Sequence, residues 1–273
     1  MNFSFHSYLK RLRSTVIGIL IISVLPALFF GINTKLEQKV WQYSINGIMY
    51  DVFPDVFDRY MYSMTIFFSA LLTGLLAALV LTFITTLLPK FLQRVIYGVL
   101  TLLESLPDLF IVVVLQVSVI YIYKATGILV ANVSNVYNNP IYLLPILTLA
   151  VLPTIQLFKI TLLLMKEEQH KPYVTVARAM GLGRLYITLK HVFRNILTSL
   201  FQYYKTIFVF MLSNLFIVEY VFNLNGVMFL LLNTQGAAFL VTALIIALPF
   251  SVLFEIAENN TASVDERKEE DAA

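Results

Sequence analysis

The chain alternates between long apolar runs and short polar segments. Four runs contain no Asp, Glu, Lys or Arg: residues 14–34, 60–89, 125–158 and 220–254. A bilayer-spanning helix needs about 20 predominantly apolar residues, so each run is long enough for a span. The full pattern predicts six α-helical spans, near residues 14–31, 63–88, 102–123, 141–165, 197–220 and 236–256.

The composition supports a membrane location for these helices. Hydrophobic residues make up 59% of the 273-residue chain and charged residues only 13%, about half the charged fraction of a soluble domain. A water-soluble fold of this size would not bury so much apolar surface in one core. We therefore predict an all-α, polytopic protein whose solvent is the lipid bilayer. The chain has no cysteine, which excludes disulfides and thiolate metal sites.

The distribution of Lys and Arg predicts the orientation. With the N-terminus inside, thirteen of the nineteen basic residues fall on the inner side and four on the outer side; Lys159 and Lys205 fall within spans. Cytoplasmic loops are the basic ones, so both termini are predicted to be cytoplasmic, in a bacterial plasma or inner membrane. This topology explains the basic bias better than nucleic-acid binding does, and no nucleic-acid partner is expected.

Three regions follow from this topology. Residues 1–13 form a basic cytoplasmic N-terminus, 14–258 a transmembrane domain, and 259–273 an acidic tail that we expect to be disordered. Residues 32–62, which contain Trp41 and several tyrosines, are predicted to form an outer excursion. Its aromatic side chains are expected at headgroup level rather than in a ligand platform.

Residues 166–195, hereafter the 166–195 segment, form the longest basic loop and have a helical pattern. Pro172 suits the first turn of a helix, while Gly181 and Gly183 suit its end. A second helical stretch is predicted from Arg184 toward the fifth span. The small side chains of Ala177 and Gly181 would let another surface approach the backbone. From spacing alone, a cytoplasmic partner and anionic lipid headgroups are equally good candidates for that surface.

The sequence resembles the permeases of binding-protein-dependent ABC transporters, and within them the dipeptide/oligopeptide/nickel branch. The resemblance is strongest at Tyr-Val-x-x-Ala-Arg-Ala-x-Gly-Leu (173–182), which is followed by His191, Arg194 and Asn195. Further matching residues lie elsewhere in the chain: Ser105-Leu106-Pro107, Leu212-Ser213, and Val218-Glu219-x-x-Phe222 with Gly226. The basic N-terminus resembles the first of the two permeases in such systems.

The resemblance implies that this chain forms half of a translocation pathway in an importer. The 166–195 segment would then dock in a cleft of a cytoplasmic ABC ATPase and transmit its motion to the spans. The residues that the resemblance assigns to this coupling are Tyr173, Ala177, Arg178, Ala179, Gly181, Leu182 and Arg184. The further partners are a second permease, as a heterodimer, and an extracellular or periplasmic substrate-binding protein. The implied cargo is an oligopeptide, with nickel or another small solute as the alternative.

ATP and Mg²⁺ are expected in the partner ATPase, with no cofactor in this chain. The chain contains no phosphate-binding sequence of the form GxxxxGK[ST]. Three features depart from the family pattern: Thr175 stands where the wider permease superfamily often has glutamate, which the peptide branch tolerates; Asn223-Leu224-Asn225 precedes Gly226; and the outer region is shorter. These departures affect the substrate more than the protein class.

Polar residues within the spans are candidates for the pathway or its gate because they are costly in lipid. Lys205 either extends its amine to the membrane surface or lines the pathway. Glu219 is predicted near the outer end of the same span. Gln116, Gln156 and Asn214 are expected either to hydrogen-bond between helices or to face the pathway. Glu104 and Asp108 flank Pro107, a predicted kink, and either line an inner vestibule or face the cytoplasm.

Two other protein classes are alternatives to a transport subunit. An intramembrane enzyme is disfavoured because the sequence lacks HExxH and GxSxG, and no predicted span contains a histidine. A membrane scaffold, or a degenerate permease without transport activity, remains the alternative to a working transporter.

Overall fold

The computed structural model describes residues 13, 17–18, 42–45, 48–53, 55–135, 140–234, 239, 241–247 and 249. Contacts divide the chain into two compact units. The first comprises Met1–Thr65 with Asn223–Ala273, and the second is Ile66–Phe222. The predicted acidic tail, 259–273, and all of the predicted first span except residues 17–18 lie outside the described residues.

Four helices cover the first half of the described chain. They are α1 (Asp55–Leu87), α2 (Lys90–Glu104), α3 (Asp108–Thr126) and α4 (Leu143–Gln169). Within the described residues, α1, α3 and α4 are the helices long and apolar enough to cross a bilayer. The prediction of an all-α membrane fold is confirmed.

The second half begins with short helical pieces and continues into a long helix. After α5 (Pro172–Ala179), the chain forms α6 (Arg184–Tyr186), a π-helical stretch (Ile187–Val192) and α7 (Phe193–Val221) without a break. Residues Thr206–Val221 of α7 form a shorter apolar helix. A further helix, α8 (Val227–Asn233), was not predicted. Of the predicted sixth span, residues 241–247 are helical, and several of its other residues lie outside the described set.

The predicted start of the third span is wrong. This span was predicted to begin at residue 102, but residues up to Glu104 belong to α2, and the apolar helix starts at Asp108. Pro107 is therefore not a kink within one helix. It directly precedes the first turn of α3, where its missing N–H leaves no helix hydrogen bond unmade. Proline also disfavours helical geometry at the preceding residue, Leu106, so the two helices separate there.

Helix α4 is the centre of the second unit. In the most apolar 18-residue stretch of α4, 56% of the residues are buried, whereas the corresponding fraction in α3 is 11%. It packs most extensively against α7 and also contacts α2 and α3. Apolar side chains cover nearly the whole circumference of α3 and are mostly exposed, as expected of a helix that faces lipid.

The first unit contains a β-hairpin that the sequence analysis did not predict. Strands β1 (Gln42–Ile45) and β2 (Ile48–Asp51) pair antiparallel, with Ile45 opposite Ile48. The predicted headgroup location is wrong for Tyr43, whose side chain is 1% exposed and packs with Val52, Val56 and Leu230.

A polar network fixes this hairpin to the neighbouring helices. The hydroxyl of Tyr43 donates to Asp55 Oδ2 at 2.6 Å, and Arg59 donates to Tyr43 Oη and to the carbonyl of Asn225, both at 3.3 Å. The Arg59 guanidinium also lies 4.9 Å from the ring centre of Phe229. Burial raises the pKa of Tyr43, and its hydrogen bond to Asp55 raises it further. The hydroxyl therefore keeps its proton and remains a donor.

Candidate functional site

The 166–195 segment contains the helix that the sequence predicted. Pro172 occupies the first turn of α5, where a proline is tolerated because that N–H has no partner within the helix. Gly181 adopts φ +78° just beyond its end. The N–H of Gly181 then donates to the carbonyl of Arg178 at 3.0 Å, and the N–H of Leu182 donates to that of Ala177 at 3.2 Å. This pair of bonds is the Schellman arrangement that satisfies the last carbonyls of a helix.

One side of α5 is anchored in the second unit. Val174 is 1% exposed and Ala177 is 7% exposed. They belong to an apolar cluster that also includes Met165, Ile187, Val192, Ile196 and Leu200. The prediction that Ala177 gives another surface access to the backbone is therefore wrong, because its methyl group packs within the chain. Positions 174 and 177 share the inward face of the helix since they are three residues apart.

The opposite side of α5 and the following turn are exposed. Arg178, Ala179, Gly181 and Leu182 are all accessible. Arg184 lies in α6, and its side chain is outside the described set. Six exposed apolar side chains occur in this part of the segment, and we call them the exposed apolar set: Val176, Met180, Leu182, Leu185, Tyr186 and Leu189. Such a concentration of accessible apolar groups is typical of a protein or membrane contact.

A carboxylate joins the segment to the helices on both sides of it. Glu168, in the last turn of α4, is 7% exposed. Its Oε1 accepts hydrogen bonds from Tyr173 Oη at 2.9 Å and from Asn195 Nδ2 at 3.1 Å. Its Oε2 lies 2.7 Å from the Lys171 amine. Tyr173 and Asn195 are motif residues in the sequence, whereas Glu168 was not predicted, because one acid in a charged loop has no local signature.

The pKa of Tyr173 is raised to about 12. Burial is the main cause, and the hydrogen bond to Glu168 adds to it because ionising the phenol would place two negative charges side by side. The hydroxyl of Tyr173 thus remains a hydrogen-bond donor at physiological pH.

Of the other motif residues, His191 lies within the π-helical stretch and Arg194 lies just after it. Ile187 and Val192 of this stretch are buried in the apolar cluster. His191 is half-buried, with its ring 5.8 Å from that of Tyr186. Arg194 is exposed at the start of α7. The π-helical turn places both Ile187 and Val192 on the inward side. They are five residues apart, which is the spacing of the i→i+5 hydrogen bonds of a π-helix.

The candidate pathway residues are dispersed. Asn214 is buried and lines a cavity of about 20 Å³ together with Asp108 and Thr148. That volume is enough for about one water molecule. Gln116 Nε2 donates to the carbonyl of Val133 at 3.0 Å; Val133 lies in the non-helical segment after α3, so this is not the predicted hydrogen bond between helices.

The remaining candidates differ in how far the structure describes them. Gln156 is half-buried in α4, and Glu219 is 3% exposed in α7. Lys205 also lies in α7, but its side chain is outside the described set. Neither the surface-extended position nor the pathway position of its amine is tested.

An ion pair within the second unit was not predicted. The amine of Lys159 on α4 contacts Glu104 Oε2 at the end of α2, and it lies 5.4 Å from the centre of the Tyr97 ring. Glu104 therefore pairs with an adjacent helix rather than facing open solvent alone. The pairing joins positions 55 residues apart, so no sequence spacing indicates it.

We expect Gly181→Ala to loosen the end of α5, whereas Gly183→Ala leaves it unchanged. A Cβ at either position meets no heavy atom within 4 Å, but only Gly181 has a positive φ. A left-handed conformation costs an L-residue roughly 1–2 kcal/mol. Hydrogen exchange of the amides at 180–182 is expected to accelerate roughly tenfold in Gly181→Ala alone. Equal exchange rates in the two variants would contradict this account of the turn.

Comparison with protein families identifies the class. Residues 70–260 match the family model described as binding-protein-dependent transport system inner membrane component. The chain belongs to this family. The match covers the 166–195 segment and all five candidate pathway residues. No individual curated protein matches the chain.

Membership establishes what kind of component the chain is. It is the integral membrane permease of a binding-protein-dependent ABC transporter, and it is not itself an enzyme. The family implies an ATPase and a substrate-binding protein as partners. The expectation of a transport subunit is confirmed at this level, whereas the branch, the substrate and the pairing of permeases remain predictions.

Proposed function

We propose that this permease forms half of the pathway of an importer of the dipeptide/oligopeptide/nickel branch, with oligopeptides as its cargo. The support for the branch is the sequence of the 173–182 stretch with Asn195, and of 212–226. In this proposal the partner permease is a different chain, so the translocation unit is a heterodimer. Both termini and the 166–195 segment are cytoplasmic, in agreement with the excess of Lys and Arg on that side.

The coupling role of the 166–195 segment rests on one observation. Helix α5 is anchored on one side by the apolar cluster, while the exposed apolar set remains accessible on the rest of the segment. A partner that covers this set moves the anchored helix with it. Arg178, Lys190 and Arg194 are also exposed here, so the partner surface is expected to combine apolar contact with acidic groups.

Copurification tests this proposal. The permease is coexpressed with a candidate ABC ATPase and a candidate second permease, and a tag on this chain is used for purification. We expect the ATPase to copurify and to hydrolyse ATP in the purified assembly. A purified assembly that lacks an ATPase would contradict the coupling role.

A cysteine placed in the segment tests the topology independently. The chain has no native cysteine, so Gly183→Cys introduces a single thiol at an exposed position. In sealed right-side-out vesicles it should resist a membrane-impermeant maleimide until the membrane is opened. Immediate labelling would place the segment outside the cell and overturn the proposal.

An uptake screen distinguishes the two cargo classes. A strain lacking the permease is compared with its parent for growth on defined oligopeptides and for accumulation of Ni²⁺. We expect the loss of peptide uptake with unchanged nickel accumulation. The reverse result would move the assignment to a small-solute transporter while leaving the coupling role intact.

A further inference from the structure

Three parts of the chain meet at one carboxylate. Glu168 belongs to α4, Tyr173 to α5 and Asn195 to α7, and both partners donate to the same oxygen, Glu168 Oε1. Lys171, in the turn between α4 and α5, approaches the other oxygen. Each oxygen of this buried carboxylate thus has at least one donor, which offsets the loss of its hydration.

The backbone alone does not hold α5 rigidly to these two helices. Toward α7, the chain passes through the turn at Gly181 and through Gly183 before helix resumes at Arg184. Toward α4, only His170 and Lys171 separate the two helices. Such short non-helical links act as hinges unless side chains fix the angle between the elements.

The apolar cluster beneath α5 anchors it against α4 and α7. Apolar contacts are non-directional, so they define the orientation of a short helix less sharply than hydrogen bonds do. The hydrogen bonds at Glu168 are directional, and a charged acceptor makes them stronger than neutral ones. A buried ionised group adds little net stability compared with an apolar replacement. Its directional hydrogen bonds nevertheless define one orientation of the helices that carry the donors.

We propose that Glu168 is a positioning residue that locks α4, α5 and α7 into one mechanical unit, so that a displacement of α5 is transmitted to both long helices. The inference rests on the proposed coupling role, because α5 must be moved by an ATPase for the lock to transmit anything. Tyr173 and Asn195 are the two donors through which the lock acts.

Distance measurements within the assembled transporter test the lock. Thr175 on α5, which is exposed and outside the exposed apolar set, and Leu163 on α4, which is 55% exposed, are replaced by cysteine and spin-labelled. A second pair joins Thr175 to Val209 on α7, which is 47% exposed. Distance distributions are recorded with and without Mg-ATP in the full complex with its ATPase, in lipid nanodiscs.

With Glu168 intact, we expect both distributions to stay narrow and unchanged when Mg-ATP is added. In Glu168→Ala with Mg-ATP, the population at the original distances, relative to the population at displaced distances, should fall roughly tenfold. This is the factor expected from the loss of a charge-assisted hydrogen bond. Tyr173→Phe removes one donor and should give a smaller change in the same direction. Glu168→Gln retains an oxygen acceptor and should restore part of the original distribution.

Glu167→Ala is the matched control. Glu167 is adjacent to Glu168 and exposed, and its replacement by alanine removes the same charge. If the ATPase binds and Glu168→Ala gives the same distributions as Glu167→Ala, the lock is wrong and the coupling role stands. If the ATPase is missing from the wild-type assembly, the coupling role fails and the inference fails with it. Should Glu168→Ala not assemble, the distance distributions of Tyr173→Phe are compared with those of Glu167→Ala instead, and equal distributions would show that the lock is wrong.

Discussion

Met180→Glu is expected to release the ATPase from the transporter. Met180 is the most accessible member of the exposed apolar set, at 74% exposed, and it lies directly before the Gly181 turn. If the ATPase covers this side chain, a carboxylate there would be buried without a designed partner. Truncating a central contact of an interface costs 2 kcal/mol or more. We therefore expect a loss of about 3 kcal/mol, or roughly 100-fold in affinity, measured by titration of the purified ATPase.

The folded permease should tolerate this change, because the side chain is accessible in the chain alone. Leu129→Glu is the matched control. Leu129 is 61% exposed in the segment after α3, which the proposed topology places outside the cell, and the substitution introduces the same charge. We expect it to leave the affinity for the ATPase unchanged. Equal affinities for Met180→Glu and Leu129→Glu would show that the exposed apolar set contacts lipid instead.

The membrane helices were predictable because the bilayer imposes a simple length requirement. The charge-free runs at 60–89 and 125–158 predicted spans that the structure shows as α1 and α4. The predicted ends were less accurate: α1 begins at Asp55 rather than at residue 63, and α4 continues to Gln169 rather than ending at 165. A helix continues into the polar segments on either side of its apolar run. Hydropathy marks only the apolar run, so it does not predict where the helix begins or ends.

The elements that were missed depend on contacts distant in sequence. The sequence contains an asparagine-glycine pair, Asn46-Gly47, a well-known turn signal, but the surrounding aromatics were interpreted as headgroup contacts. Tyr43 is instead buried because α8, about 190 residues later, packs against it. Helix α2 was treated as a loop because Lys90 and Arg94 interrupt its apolar residues.

The 166–195 segment shows both the strength and the limit of a sequence motif. Pro172 and Gly181 gave the ends of α5 correctly because each residue acts through its own backbone. Ala177 was assigned wrongly to a partner contact. Its small side chain is equally compatible with a contact to a partner and with a contact to Val174 and its neighbours. The partners of Glu168 were hidden since Asn195 lies 27 residues away. Which face of a short helix is inward depends on the rest of the fold.

Lys159→Met is expected to destabilise the permease by about 2 kcal/mol, less than for a fully buried ion pair, because both side chains are only partly buried. The side chains of Lys159 and Glu104 are 19% and 33% exposed, and removing the amine leaves the Glu104 carboxylate without its counter-ion in a weakly hydrated environment. The measurement is the free energy of unfolding in mild detergent. Lys124→Met provides the control, because this lysine is exposed at the end of α3 and its loss should change stability by no more than about 0.5 kcal/mol.

The double variant Lys159→Met with Glu104→Met separates the ion pair from packing. Removing both charges abolishes the unpaired carboxylate, and apolar replacements of similar volume are often neutral at such sites. We therefore expect the double variant to recover most of the stability lost in Lys159→Met, with a coupling energy of about 2 kcal/mol between the two positions. A double variant whose loss equals the sum of the single losses would show that Lys159 and Glu104 act independently. In that case α2 and α4 would be held together by their apolar contacts alone.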